Sequence, residues 1–197
     1  MRYCNSSDFK WLTHIKNILN ETGFSYLWTN QDSQSSEKLH FLIKNALLDQ
    51  FKQSWSSDLQ LSSKGRNYSL FKDNTDQEYY IRSIEKANAN VLLKFRMSNT
   101  NFPVEVGRWR QSYSDLSNRK CTFGCSDVGD EYHYLLVCKH FTRKRKTLIP
   151  QYYFKHPSIL KYKEIMTTHD MDILKNLCLY LKYVFKTFKS PIISRKL

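Results

Sequence analysis

The sequence predicts a mainly α-helical fold, and three features carry that expectation. Apolar residues recur at three- and four-residue intervals through several long segments. No stretch of useful length alternates apolar with polar residues as a half-buried strand would. The one clear interruption is compact: eighteen residues, 121–138, that gather three of the chain's five cysteines. At 197 residues the chain can bury one good core or two small ones, and its hydrophobic and aromatic content is that of a folded protein.

The elements follow in chain order. Residues 8–21 read as a first helix, capped by Ser6 or Ser7, striped by Phe9, Leu12, Ile15 and Leu19, and stopped by Gly23. An aromatic link (23–28) and a polar loop (29–36) lead to a longer helix from about Glu37 to Trp55. Leu39, Leu42, Ile43, Ala46, Leu47 and Phe51 share one side of it. Residues 56–67 read as a second polar break. The helical pattern returns at 76–98, as two pieces meeting near Glu85–Asn90, with Tyr79, Tyr80, Val91, Leu92 and Phe95 as the buried face. Pro103 and Gly107 prevent 95–110 from being a single helix. Beyond 138, Pro150 and Pro157 punctuate a Tyr-rich connection, and a short helix fits 158–166. The last strong helix is 171–189, where Lys175, Lys182, Lys186 and Lys189 fall within about 60° of one another and read as its wet side.

Within CTFGCSDVGDEYHYLLVC the spacing is C-x3-C-x7-H-x4-C, through Cys121, Cys125, His133 and Cys138. Three thiolates and one imidazole are the donor set of a tetrahedral Zn2+ site. The expectation is therefore a helical domain with a small embedded Cys3His zinc knuckle. Gly124 lets the backbone turn so that both knuckle sulfurs face one point. Gly129 and Asp130 read as a turn and N-cap opening a short helix. His133 sits in its first turn; Cys138, five residues on, is about 140° further round an α-helix and should lie where the helix ends. His140 is the alternative nitrogen donor. A redox pair at Cys121 and Cys125 lacks the C-x-x-C spacing. Four protein ligands close a zinc site to water, which marks a structural metal rather than a catalytic one.

The formal charge of +13 is unevenly placed. Residues 1–85 hold ten basic and ten acidic side chains, whereas 86–197 hold twenty-one and eight. A chain polarised in this way suits a polyanion, most often nucleic acid. Charge and pattern together suggest three regions: charge-neutral helices (1–85), a basic lead-in with the knuckle (86–149), and C-terminal helices packing on the core (150–197). MRYCNSSDFKWLTHIK has no apolar signal-peptide core, and no apolar run is long enough to span a bilayer. An intracellular protein, nuclear or cytoplasmic and not secreted, with no membrane partner, is expected.

The knuckle spacing, with the run-up LLKFRMSNTNFPVEVGRW, resembles the cysteine-rich region C-terminal to the polymerase in non-LTR (LINE-type) retrotransposon reverse transcriptases. The resemblance covers roughly residues 85–145. It implies a zinc-binding, nucleic-acid-handling domain beyond a polymerase core, with Cys121, Cys125, His133 and Cys138 as ligands. RNA, DNA and an upstream or separate polymerase domain would be its partners. The chain has no Y/F-x-D-D polymerase motif and no PD-(D/E)-x-K arrangement, and its Cys–Cys and Cys–His gaps are longer than those of the retroviral nucleocapsid knuckle.

For nucleic-acid contact the candidates are Arg108 and Arg110 before the site and Arg119 and Lys120 beside it, then Lys139, Arg143, Lys144, Arg145 and Lys146 in KHFTRKRK after it. Trp109 reads rather as a core residue. Phe123 or Tyr113 could stack on an unpaired base, and Phe123 could equally cap the zinc core. G-x-S-x-G, Walker A, G-x-G-x-x-G and H-E-x-x-H are absent, so a non-catalytic module is expected. The competing expectation is a zinc-stabilised scaffold whose uncharged N-terminal helices dock a polymerase or another protein. A nuclease using Asp130 or Glu131 is a third.

Overall fold

The structure, a computed structural model, describes residues 9–30, 35–62, 64–109 and 115–189. The helical expectation holds. Among the described residues there is no strand, only an isolated antiparallel bridge between Lys120 and Val128. The chain divides into two compact units, Met1–Asp58 and Leu59–Leu197. Residues 59–85, grouped on charge with the N-terminal region, thus belong with the second unit.

The first unit contains α1 (Lys10–Glu21), α2 (Ser25–Asn30) and most of α3 (Ser36–Leu61). Gly23 ends α1 as expected: at φ +82° it takes the left-handed conformation while the Thr22 N–H and hydroxyl close onto the Ile18 carbonyl. Two boundaries differ from the sequence reading. The 23–28 link winds into α2 once Gly23 is passed. The helix expected to stop at Trp55 continues to Leu61, because 56–61 carry no glycine or proline to break it. Among this unit's described residues only Thr22 is buried, and the apolar stripes of α1 and α3 are half-buried or exposed.

The second unit holds α4 (Gly65–Tyr68), α5 (Tyr79–Ser83), α6 (Lys86–Arg96), α7 (Pro103–Trp109), α8 (Thr142–Leu148), α9 (Gln151–Lys155), α10 (Ile159–Met166) and α11 (Met171–Lys189), with the cysteine-rich segment between α7 and α8. Its centre is α11 lying along α6 and α8. Leu174, Leu177, Leu181 and Val184 repeat at three- and four-residue steps and are buried, while Lys175, Lys182 and Lys186 are exposed on the other side. Buried Asn67 of α4 donates to the Phe95 and Arg96 carbonyls at 3.0 and 3.1 Å and accepts from the Tyr162 hydroxyl. It thereby satisfies the open end of α6 and ties α4, α6 and α10 together. The expected break near Glu85 separates α5 from α6. Of the two tyrosines expected inside, Tyr80 is buried but Tyr79 is exposed and stacked on His169 at 4.5 Å. Neighbours on a helix point about 100° apart, so both cannot face one core. The Tyr-rich connection is itself partly helical, as α9.

Candidate metal centre

The first two cysteines sit on a tight antiparallel loop. The Cys121 N–H donates to the Asp127 carbonyl at 3.0 Å, and the Gly129 N–H donates to the Arg119 carbonyl at 2.9 Å. Gly124 lies between them at φ +81°, with open space where a Cβ would be, so its demand is conformational rather than steric. The Phe123 N–H points at the Cys121 sulfur from 3.4 Å.

The other two donors come from one unusual turn. Asp130 accepts from the His133 N–H at 2.8 Å, the capping role expected of it. His133–Val137 is then π-helical, and the Cys138 N–H donates to the His133 carbonyl at 2.7 Å. A regular α-helix would carry Cys138 about 140° round from His133. The widened i→i+5 turn closes most of that gap, so both side chains serve one point.

All four donor atoms lie within 4.8 Å of one another. Cys138 Sγ is 3.7 Å from Cys121 Sγ and 4.0 Å from Cys125 Sγ. Thiolate–metal bonds of about 2.3 Å at tetrahedral angles would place two sulfurs about 3.8 Å apart. His133 is buried with neither ring nitrogen hydrogen-bonded; Nδ1 lies 3.5 Å from the Asp127 carboxylate, a residue type that orients ligating imidazoles. Burial lowers the His133 pKa, which keeps the imidazole neutral and able to ligate. Burial, and then the neighbouring thiols Cys121 and Cys125, push the Cys138 thiol up to about 12. Buried sulfurs so crowded ionise together only around a cation. The cluster can bind a metal ion.

The predicted contact residues divide. Lys120, Lys139, Arg143 and Lys146 are exposed, and among the described residues no ion pair engages them. Lys144 is half-buried, its ammonium 5.8 Å from the Tyr183 ring centre. Phe123 packs edge-on against Tyr134, Phe141 and Phe188, and His140 stacks on its remaining face at 4.0 Å. Phe123 is therefore held within an aromatic cluster, with exposed His140 as its outer ring, and the nitrogen donor of the cysteine cluster is His133 rather than His140. Arg108 pairs with Glu105 at 3.0 Å. Arg110, Tyr113 and the Trp109 side chain lie outside the described residues.

Two arginines are corrected. Arg119, 7% exposed, donates to the Val104 carbonyl at 2.8 Å. Its chain lies over Gly107, where any Cβ would come within 2.8 Å of it. Arg145 is 3% exposed. It donates to the Leu135 carbonyl at 2.7 Å and the Cys138 carbonyl at 2.9 Å, which the π turn leaves open. Their places in the sequence suggest surface charges; both are instead internal clamps that fix the two halves of the metal cluster. Val104 also donates its N–H to the Gly129 carbonyl at 3.2 Å, so α7 holds the loop from both sides.

Glu131, beside the capping Asp130, is 1% exposed and accepts from Arg66 at 3.3 Å. Burial raises its pKa to about 7, against the partial opposition of Arg66. A carboxyl whose folded pKa exceeds its unfolded value stabilises the fold at low pH, and that stability is lost as pH rises through 7. Glu131→Gln should therefore gain on the wild type by about 2 kcal/mol between pH 5 and pH 8. Urea unfolding at both pH values measures it; parallel curves would refute it.

Comparison with known proteins finds no family model, curated protein or solved structure that matches the chain.

Proposed function

We propose that Cys121, Cys125, His133 and Cys138 hold a structural Zn2+ ion, and that the protein is a non-catalytic nucleic-acid-binding module. It would act like the region C-terminal to the polymerase in a non-LTR retrotransposon reverse transcriptase, holding RNA template or target DNA. The observation that carries this reading is the convergence of the four donors beside exposed Lys120, Lys139, Arg143 and Lys146. A soft set of three sulfurs and one nitrogen in tetrahedral spacing suits zinc, and four protein ligands leave no open position for a reacting water. The zinc with three thiolates carries one net negative charge, which buried Arg145 offsets from the inner side. The exposed cations are left for phosphates.

Arg143→Glu with Lys146→Glu should weaken binding of a fluorescent RNA or DNA oligonucleotide about tenfold or more in low salt. The dependence of log K on log salt should become less steep by about 0.7–0.9 for each phosphate no longer neutralised. Affinity that stays flat across a salt series contradicts the reading.

One observation favours a second reading, docking of a polymerase or another protein by the N-terminal helices. Trp11 and Phe41 are 60% and 63% exposed, in a unit that buries almost nothing. On that reading, Trp11→Glu with Phe41→Glu abolishes binding to a reverse-transcriptase polymerase core and leaves RNA affinity unchanged.

A further inference from the structure

Away from the cysteine cluster, α6, α11 and the loop after α6 enclose a groove of about 420 Å3. Its rim carries Lys94 from α6 and Lys182 and Lys186 from α11, all exposed. No carboxylate is among the described residues that line it. Its floor is Phe185 and Phe188, held in place by Phe102 at 6.0 and 4.9 Å. The third side is the loop 99–101, turned toward the groove by Ser98, a non-glycine residue at φ +51°. Among the described residues, the Asn99 and Asn101 side-chain amides have no hydrogen-bond partner.

Each wall supplies a different part of one ligand. Three lysines along the rim attract phosphates. Partly exposed phenylalanines offer a surface for a base, and unpaired amides can donate to and accept from its edge. A concave site with an apolar floor takes a strand whose bases are unpaired; a duplex keeps its bases inside and presents a convex backbone. As a mere solvated face, the α11 lysines would need no counterpart, yet Lys94 opposes Lys182 and Lys186 from another helix. We propose that this groove binds a segment of single-stranded nucleic acid, with phosphates on Lys94, Lys182 and Lys186 and a base against Phe185 and Phe188. The proposal takes its ligand class from the function proposed for the knuckle, but none of its residues.

The test uses the full chain and a fluorescein-labelled twelve-residue oligouridylate, with an RNA duplex of equal length beside it, in anisotropy titrations at several salt concentrations. The variants are Lys94→Glu with Lys182→Glu, the control Lys175→Glu (exposed on the same helix, outside the groove), and Arg143→Glu with Lys146→Glu. Thermal melting confirms that each is folded. The groove variant should bind oligouridylate at least tenfold more weakly, with a log–log salt slope reduced by about 1.4 for two phosphates. Lys175→Glu should stay within about twofold of wild type, and duplex affinity should fall less than oligouridylate affinity in the groove variant. Equal losses in the groove and control variants would show a bulk charge effect and overturn the proposal, as would equal losses for strand and duplex. A wild type that binds duplex but not oligouridylate also overturns it, leaving the knuckle reading standing. Weakening by the groove variant with none from Arg143→Glu/Lys146→Glu supports the groove and contradicts the knuckle reading.

Discussion

Replacing Cys121 and Cys125 together by serine is expected to release the metal and cost the second unit about 5 kcal/mol or more, a fraction of what zinc supplies to isolated fingers. The size follows from what stays behind. The loop 119–129 is held by few backbone bonds and one isolated bridge, so a metal bound by the four donors would be its main cross-link to the π turn. Without it, His133 keeps two ring nitrogens that make no hydrogen bond in a buried site, and Cys138 keeps a buried thiol. The loss should spread, because Phe123 and Tyr134 link the loop to Phe102, Phe141 and Phe188. Chelation of the wild type should mimic the variant. So should acid: with the His133 pKa held down by burial, stability present above about pH 6.5 is lost as pH falls and the imidazole protonates. Thermal melting with and without chelator checks this; equal melting of the double variant and the wild type would contradict it.

The second large effect is expected at Arg145. Arg145→Met keeps most of the volume but strips the donors from the Leu135 and Cys138 carbonyls, both in the buried ligand-bearing turn. A cost of about 3–5 kcal/mol is expected. Arg145→Lys should rescue little, since a single ammonium cannot span carbonyls that a planar fork holds together. Arg143→Met, two residues away and exposed, should stay within about 0.5 kcal/mol of wild type. In binding assays the proposed function predicts the reverse order: the Arg143 variant should bind nucleic acid more weakly, while a folded Arg145 variant should bind as before. Urea unfolding of the three variants separates the roles, and similar midpoints for Arg143→Met and Arg145→Met would refute the clamp.

These two arginines mark the limit of what can be read in the sequence. Spacing alone identifies Cys121, Cys125, His133 and Cys138, because metal ligands must be close in space and here lie close in the chain. Helices with a regular apolar stripe, such as α6, α10 and α11, are legible for a similar reason: the pattern that buries them is local. KHFTRKRK gives no such signal. Its five cations look alike in sequence, and which of them turns inward depends on the carbonyls that a π turn leaves open. That turn is itself hidden, since nothing in a five-residue spacing announces a departure from α-helical geometry. The groove at Lys94, Lys182 and Lys186 is hidden because its rim comes from segments some ninety residues apart.

Whether one metal ion draws these four donors together is tested most directly by X-ray absorption at the zinc edge of protein purified without added metal. The expected result is one zinc per chain, with three sulfurs at about 2.3 Å and one nitrogen at about 2.0 Å. A chain with no tightly bound metal, or a zinc surrounded by oxygen donors, would contradict it.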